Sequence, residues 1–228
     1  MGASRFLNNE GIWIARGEVT NTSHINKFGF TGTDVNGTAT VYDANGTTAL
    51  YPYPADDVVS ITSSANSGAA VEIQGLDANY NLVTENINIG STGSVTFSRV
   101  FRARMIDTLN TANVVINVGG NLAATILANN GQTLMAVYTV PAGKTAYLVK
   151  FQGSMDKSNA SVKFKLFSRP SGGTFNLKGQ WGTQGGNSVN YDYPVPLEFT
   201  EKTDIKIDVT TGAAVGCGAI FDLVLVDK

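Results

Sequence analysis

The sequence predicts an all-β protein with two β domains, the C-terminal one a jelly-roll-like antiparallel sandwich, preceded by an extended N-terminal arm. Three observations predict it. Only 15% of the 228 residues are charged, against 24 Thr, 21 Asn, 15 Ser and 25 Gly. That balance suits strands faced with hydroxyls and amides and turns built on Gly and Asn, and it does not suit helical bundles or charged disordered tails. Short alternating stretches recur between turn signals, and no segment keeps a 3.6-residue apolar period beyond two turns.

Residues 1–17 are mixed, with polar Ser4-Arg5 and Asn8-Asn9-Glu10 around apolar Phe6, Leu7, Ile12, Trp13 and Ile14. They read as an arm that lies on its own body or on a neighbour, with those five apolar residues as anchors. The first β domain is expected over 18–125. Val35-Asn36-Gly37-Thr38 and Ala44-Asn45-Gly46-Thr47 each carry the Asn-Gly pair of a type I′ hairpin turn, with a short strand between them. Tyr51-Pro52-Tyr53-Pro54 cannot continue a central strand, because proline lacks the amide proton, and reads as an edge or a link.

Strands follow over 58–62, 70–75 and 82–89. In the last, Val83, Glu85, Ile87 and Ile89 share one face, so Glu85 interrupts an otherwise apolar side. Residues 76–81 join the second strand to the third through Asx-turn formers. Residues 94–106 form one long run or two strands broken near Arg99. A Gly119-Gly120-Asn121 turn separates strands at 114–118 and 124–127. A boundary near 119–132 opens the sandwich at 126–228, where strands are expected at 134–140, 145–151, 162–167, 173–177, 189–199, 204–209 and 220–226.

Net charge is −2 and the pI near 5.4, which gives no electrostatic reason to seek nucleic acid or an anionic membrane. No stretch approaches the ~20 apolar residues of a membrane span. Residues 1–16 lack a charged region followed by a long apolar run, so no signal peptide and manufacture in a cytoplasm are expected. The single Cys217 excludes an internal disulfide and a thiolate metal cluster.

Catalytic chemistry is poorly provided for. A hydroxyl nucleophile needs a base; the one histidine, His24, lies in a polar strand, and no serine sits in a G-x-S-x-G elbow. Cys217 lies in a run of small residues and reads as a packed core thiol. Asp204 and Asp208 share a strand face, as a glycosidase pair could, but Lys206 between them makes charge pairing the simpler reading. Asp34-Val35-Asn36-Gly37 and Asp43-Ala44-Asn45-Gly46 repeat a D-x-N-G pattern without the distal glutamate of a calcium loop, and hairpin turns explain both. No enzyme activity, metal or cofactor is expected. Trp181, in a Gly/Gln/Asn-rich segment at 179–188 read as a loop, is followed by Tyr191 and Tyr193. The three suit recognition of a glycan or a protein, or cover one end of the sandwich.

Several stretches resemble virion structural proteins of tailed bacteriophages, cyanophages and marine phages especially. They are Gln74-Gly75-Leu76-Asp77-Ala78-Asn79-Tyr80-Asn81 through Ile89, Gly131-Gln132-Thr133-Leu134 running into Tyr138-Thr139-Val140-Pro141-Ala142-Gly143-Lys144-Thr145-Ala146-Tyr147-Leu148, and Phe164-Lys165-Leu166-Phe167-Ser168-Arg169-Pro170-Ser171-Gly172-Gly173-Thr174-Phe175. Pro196-Leu197-Glu198-Phe199-Thr200-Glu201-Lys202-Thr203-Asp204-Ile205-Lys206 and the closing Phe221-Asp222-Leu223-Val224-Leu225-Val226 are similar to those proteins too. The resemblance covers residue 58 to the end. It implies a virion location and partners among the virion proteins. The reading drawn from it is a capsid decoration (cement) protein, homotrimeric, bound to the outer surface of the major capsid protein lattice. The alternative is a head, neck or tail fibre component whose β domain binds host glycans. It implies no catalytic residues.

Overall fold

The computed structural model describes residues 10–43, 51 and 56–228. A single helical turn, α1 (Glu10–Ala15), precedes sixteen strands: β1 (Thr22–Phe30), β2 (Val35–Thr40), β3 (Asp57–Ser63), β4 (Ala70–Leu76), β5 (Leu82–Asn88), β6 (Thr92–Phe97), β7 (Arg99–Met105), β8 (Val114–Val118), β9 (Asn121–Ile126), β10 (Val137–Thr139), β11 (Lys144–Met155), β12 (Ser161–Arg169), β13 (Asn176–Gln184), β14 (Val189–Phe199), β15 (Asp204–Val215) and β16 (Cys217–Asp227). The all-β class expected from composition is the class observed.

Two antiparallel sheets form the sandwich. One runs β1-β16-β11-β14; the other runs β15-β12-β13, with β2 and β10 both against the free side of β15. With β2 and β10 sharing one position, the order of strands in the two sheets is that of an eight-stranded jelly roll, and β12 and β13 form a hairpin within one sheet. The remaining strands form a second unit of two sheets, β6-β3-β8-β9 and β5-β4-β7, inserted between β2 and β10.

This insertion corrects the expected domain boundary. Residues 22–40 fall inside the 18–125 range predicted for the first domain, yet β1 pairs with β16 from Thr22↔Val226 to Phe30↔Gly218, and β2 pairs with β15. They are jelly-roll strands. Asn36-Gly37 accordingly makes no hairpin turn. A type I′ turn needs positive φ at both residues, and of the two only Gly37 has it, at 114°. The chain reverses earlier, around Gly32 (φ 70°), and carries β1 and β2 to opposite sheets. The second Asn-Gly pair, at 45–46, and the prolines at 52 and 54 lie outside the described residues.

The segments that leave and re-enter the jelly roll pair with each other. Ala136 N–H donates to the Val41 carbonyl (2.9 Å) and Asp43 N–H to the Leu134 carbonyl (3.1 Å). The return segment serves both cores. Met135 and Val137 join the insert's core with Val59, Ile61, Ile73, Phe97 and Ile116. Ala136, Tyr138 and Val140 join the sandwich core with Phe151, Phe164, Ile207 and Phe221. A strand buried on both faces has no polar side to show, which explains the unbroken apolar run at 134–138. Gly29 lies against this seam, where an added Cβ would collide with backbone atoms of Val41 and Ala136.

Within the insert, the predicted strands at 58–62, 70–75 and 82–89 are β3, β4 and β5, and residues 94–106 form two strands broken at Ser98. Glu85 does sit on the inner face of β5. Its carboxylate accepts N–H bonds from Ser94 (2.7 Å) and Val95 (3.2 Å) and the Ser94 hydroxyl (3.0 Å), so β6 satisfies it.

Candidate functional site

The described part of the arm is helical, where an extended chain was expected. A C-terminal cap closes the turn: Gly17 takes φ 71°, its N–H donates to the Ile14 carbonyl (3.0 Å), and Glu18 N–H donates to the Trp13 carbonyl (2.8 Å). These are the two bonds of a Schellman motif, which glycine permits by its positive φ. Helix α1 lies over the outer face of the β1-β16-β11-β14 sheet, where Gly11, Ile14 and Ala15 share a groove with His24, Val149, Lys150, Asp192, Asp222 and Val224. Ile14 is half-buried. Ile12 is 51% exposed and Trp13 37%. The other two predicted anchors, Phe6 and Leu7, lie outside the described residues.

Trp181, Tyr191 and Tyr193 are brought together, but not on a loop. The segment predicted as a loop at 179–188 is strand through Gln184, and the reversal is confined to Gly185 and Gly186, with φ 71° and 76°. Trp181 pairs in register with Phe164. Gly179 stays in the strand because the indole folds over it; a Cβ there would meet Trp181 Cη2 at 2.6 Å. The indole stacks on core Phe151 (centroids 4.2 Å apart, 18° between planes) and contacts Tyr191 (5.8 Å), which meets Tyr193 edge-on (4.8 Å, 86°). Burial, with the neighbouring Tyr191, pushes the Tyr193 hydroxyl up to about 12. The row closes the open side of the sandwich, where β13 and β14 are each the edge strand of their sheet. What remains for solvent is Tyr191, Leu177 and Val195.

The carboxylates considered for catalysis are consumed internally. Asp204 is buried and faces Thr139 on one neighbouring strand and Arg169 on the other. Its carboxylate accepts from Arg99 Nε (2.8 Å) and Nη2 (3.3 Å), Arg169 Nε (3.0 Å) and Nη2 (2.6 Å), and the Thr139 hydroxyl (2.6 Å). Asp208 accepts from the Thr40 hydroxyl (2.7 Å) and Lys206 (2.8 Å). His24 Nε2 lies 3.3 Å from Asp222. Burial pushes the Cys217 thiol up to about 12, the opposite of an activated nucleophile. Among the described residues no group of three or more His, Cys, Asp or Glu is placed to hold a metal ion, and no helix is long and apolar enough to cross a membrane.

Two buried polar clusters at the seam between jelly roll and insert were not anticipated. In the first, Arg99, from β7 of the insert, brings its guanidinium to Asp204 and donates also to the Tyr80 hydroxyl (3.3 Å). Tyr51 OH and the Thr139 hydroxyl, 2.6 Å apart, extend the network. In the second, buried Lys27 donates to the Phe101 carbonyl and lies over that residue's ring, while Arg102 Nη2 donates to the Asn26 carbonyl (2.9 Å). Asp43 accepts the Leu134 N–H through Oδ2 (2.7 Å); its Oδ1 and the hydroxyls of Tyr42 and Tyr138 are buried and make no hydrogen bond. Burial pushes the Asp43 carboxyl up to about 8. Burial, and then the charge of Arg102, hold the Lys27 ammonium well below the usual lysine range. A sequence signal for this cluster existed: Lys27 shares its strand face with Ile25 and Gly29, which face inward.

No protein-family model matches the chain, and no curated protein matches it. Among solved structures it is similar to infectious bursal disease virus, Gx strain, at 12% identity over 90% of this chain and 71% of that one, with a TM-score of 0.26. The Gt strain gives 14% identity, 91% and 70% coverage and a TM-score of 0.26. The VP2 subviral particle of the same virus gives 13%, 92% and 77%, and 0.21. Overlaps of this quality carry no argument about role, and the jelly roll rests on strand order alone.

Proposed function

We propose that this chain is a virion structural protein of a tailed bacteriophage, specifically a capsid decoration protein. In this reading a homotrimer binds the outer surface of the major capsid lattice and stabilises the head by adhesion, without catalysis. The observation that carries it is α1, a capped turn seated on the sandwich by Ile14 that turns Ile12 and Trp13 toward solvent. Large apolar side chains held outward on a fixed turn are suited to burial against a partner. The consumption of Asp204, Asp208 and His24 in internal pairs supports it, as does the sequence resemblance from residue 58 onward.

Each copy needs only modest affinity. Apolar burial contributes roughly 25 cal/mol per Å² before association costs, and linked copies on one lattice bind with far higher avidity than one copy alone. The test compares the full chain with a form lacking residues 1–16 and with an Ile12→Ser/Trp13→Ser double variant. Both are expected to melt as the parent does and to occupy purified shells at least tenfold less. Undiminished occupancy would contradict the role of the arm.

A second reading, a head, neck or tail fibre component that binds host glycans, is favoured by the exposed ring of Tyr191 at the end of the Trp181 row. Loss of host adsorption in a Tyr191→Ala phage with heads of normal stability would select it.

A further inference from the structure

The seam between jelly roll and insert holds a cavity of about 80 Å³ lined by His24, Asn26, Lys27, Gln74, Arg102 and Tyr138, with Ile25 and Phe101 completing the wall. A water in the liquid occupies about 30 Å³, so the space matches an anion of acetate or phosphate size. Four strands converge on it: β1 supplies His24, Asn26 and Lys27, β4 supplies Gln74, β7 supplies Arg102 and β10 supplies Tyr138.

Its charge is unbalanced. Among the described residues no carboxylate lies within ion-pair distance of Lys27 or Arg102, whereas Arg104, two residues along β7, is paired with Glu72 at 2.7 Å. The other acids near the cavity are occupied or neutral. Glu72 also accepts from Gln74 Nε2 (2.7 Å), Asp222 accepts from Asn26 Nδ2 (2.6 Å) and stands beside His24, and burial drives the Asp43 carboxyl toward its neutral form. Tyr138 adds the independent sign. Only 1% of the residue is exposed, yet its hydroxyl makes no hydrogen bond. A buried hydroxyl without a partner is destabilising, and this one belongs to a residue that lines the cavity beside Lys27 and Arg102.

We infer that this cavity is a binding site for a small oxyanion, of the carboxylate or phosphate class, held by the Lys27 ammonium, the Arg102 guanidinium and the Tyr138 hydroxyl. All three are donors, as an anion with several acceptor lone pairs requires. Binding would give Lys27 the counter-charge its position lacks and would tie β1 of the jelly roll to β7 of the insert. The site is independent of the proposed virion role.

Sodium phosphate, titrated into the full chain at constant ionic strength, tests it by calorimetry and by melting temperature. The parallel series uses Arg102→Gln and Tyr138→Phe, the latter removing only a hydroxyl that has no partner to lose. Saturable binding is expected in the parent, with Kd weakened at least tenfold in Arg102→Gln and several-fold in Tyr138→Phe, and with a matching loss of the logarithmic rise in melting temperature. Acetate in place of phosphate shows which member of the class fits better; saturable binding of either supports the site. A rise that is linear in salt and equal in all three proteins is a general salt effect and overturns the inference, as does the absence of binding heat with both anions.

Discussion

The two buried charge clusters at the seam follow opposite rules. Around Asp204 every group is answered: two guanidiniums and a threonine hydroxyl surround the carboxylate, and Tyr51 and Tyr80 take up the periphery. Burial alone would lower the Arg99 pKa, and its hydrogen bond to Asp204 leads the interactions that reverse that shift. Around Lys27 the cations outnumber their partners, and three buried polar atoms, Tyr42 OH, Asp43 Oδ1 and Tyr138 OH, have none. A fully satisfied network in low dielectric holds parts together, whereas a half-satisfied one costs stability. The first cluster is a tie between jelly roll and insert, and the second has the form of a site.

Substitution separates the two. The largest effect is expected from Asp204→Ala, which strands the Arg99 guanidinium in the seam and costs about 3–5 kcal/mol by denaturant titration. A loss below about 1 kcal/mol would show that the cluster ties nothing. Lys27→Met should act with the opposite sign, raising stability by about 1–2 kcal/mol, because it removes a desolvated charge without an ion-pair partner; a loss of that size would make Lys27 a tie as well.

A pair of hydroxyl deletions sharpens the contrast. Tyr51→Phe breaks the bond to Thr139 and should cost about 1 kcal/mol, while Tyr138→Phe, measured without phosphate, should change stability by less than about 0.5 kcal/mol or improve it slightly. Equal costs would erase the distinction.

The smallest effect is a slope. From about pH 4 to 8 the unfolded chain has lost the Asp43 proton while the folded chain keeps it. In that window the folded state binds more protons, so this residue's contribution to stability falls as pH rises. Lys27, Tyr42 and the Leu134 N–H face Asp43 in both proteins, so the difference between parent and Asp43→Asn isolates it. The variant should gain on the parent steadily across the window, as thermal melts at successive pH values would show; parallel profiles would place the Asp43 pKa in the ordinary range.

What could be read from the sequence was set by distance along the chain. Strands β3, β4 and β5 announce themselves because alternation and Asx turns are local signals, and even Glu85 is visible as a polar residue on an apolar face. The insertion is not visible. Residues 22–40 carry the pattern of any local hairpin, and nothing nearby shows that Asn26 will lie beside Asp222 or that Arg99 will reach Asp204. Gly179 reads as a loop former, because a glycine that makes room for an indole looks the same as one that permits a turn. The helical turn was legible in retrospect: Gly17 ends the Ile12-Trp13-Ile14 run as a C-terminal cap. Of the candidate surface, the Trp181, Tyr191 and Tyr193 grouping was found from proximity along the chain. Its stacking on Phe151, which turns most of it inward, depends on a sheet pairing no local pattern encodes.

Counting this chain in purified virions, by quantitative mass spectrometry against the major capsid protein, addresses the proposed role most directly. Hundreds of copies per particle, in fixed ratio to the lattice, are expected of a protein that coats the head. A handful of copies, or none, would contradict it.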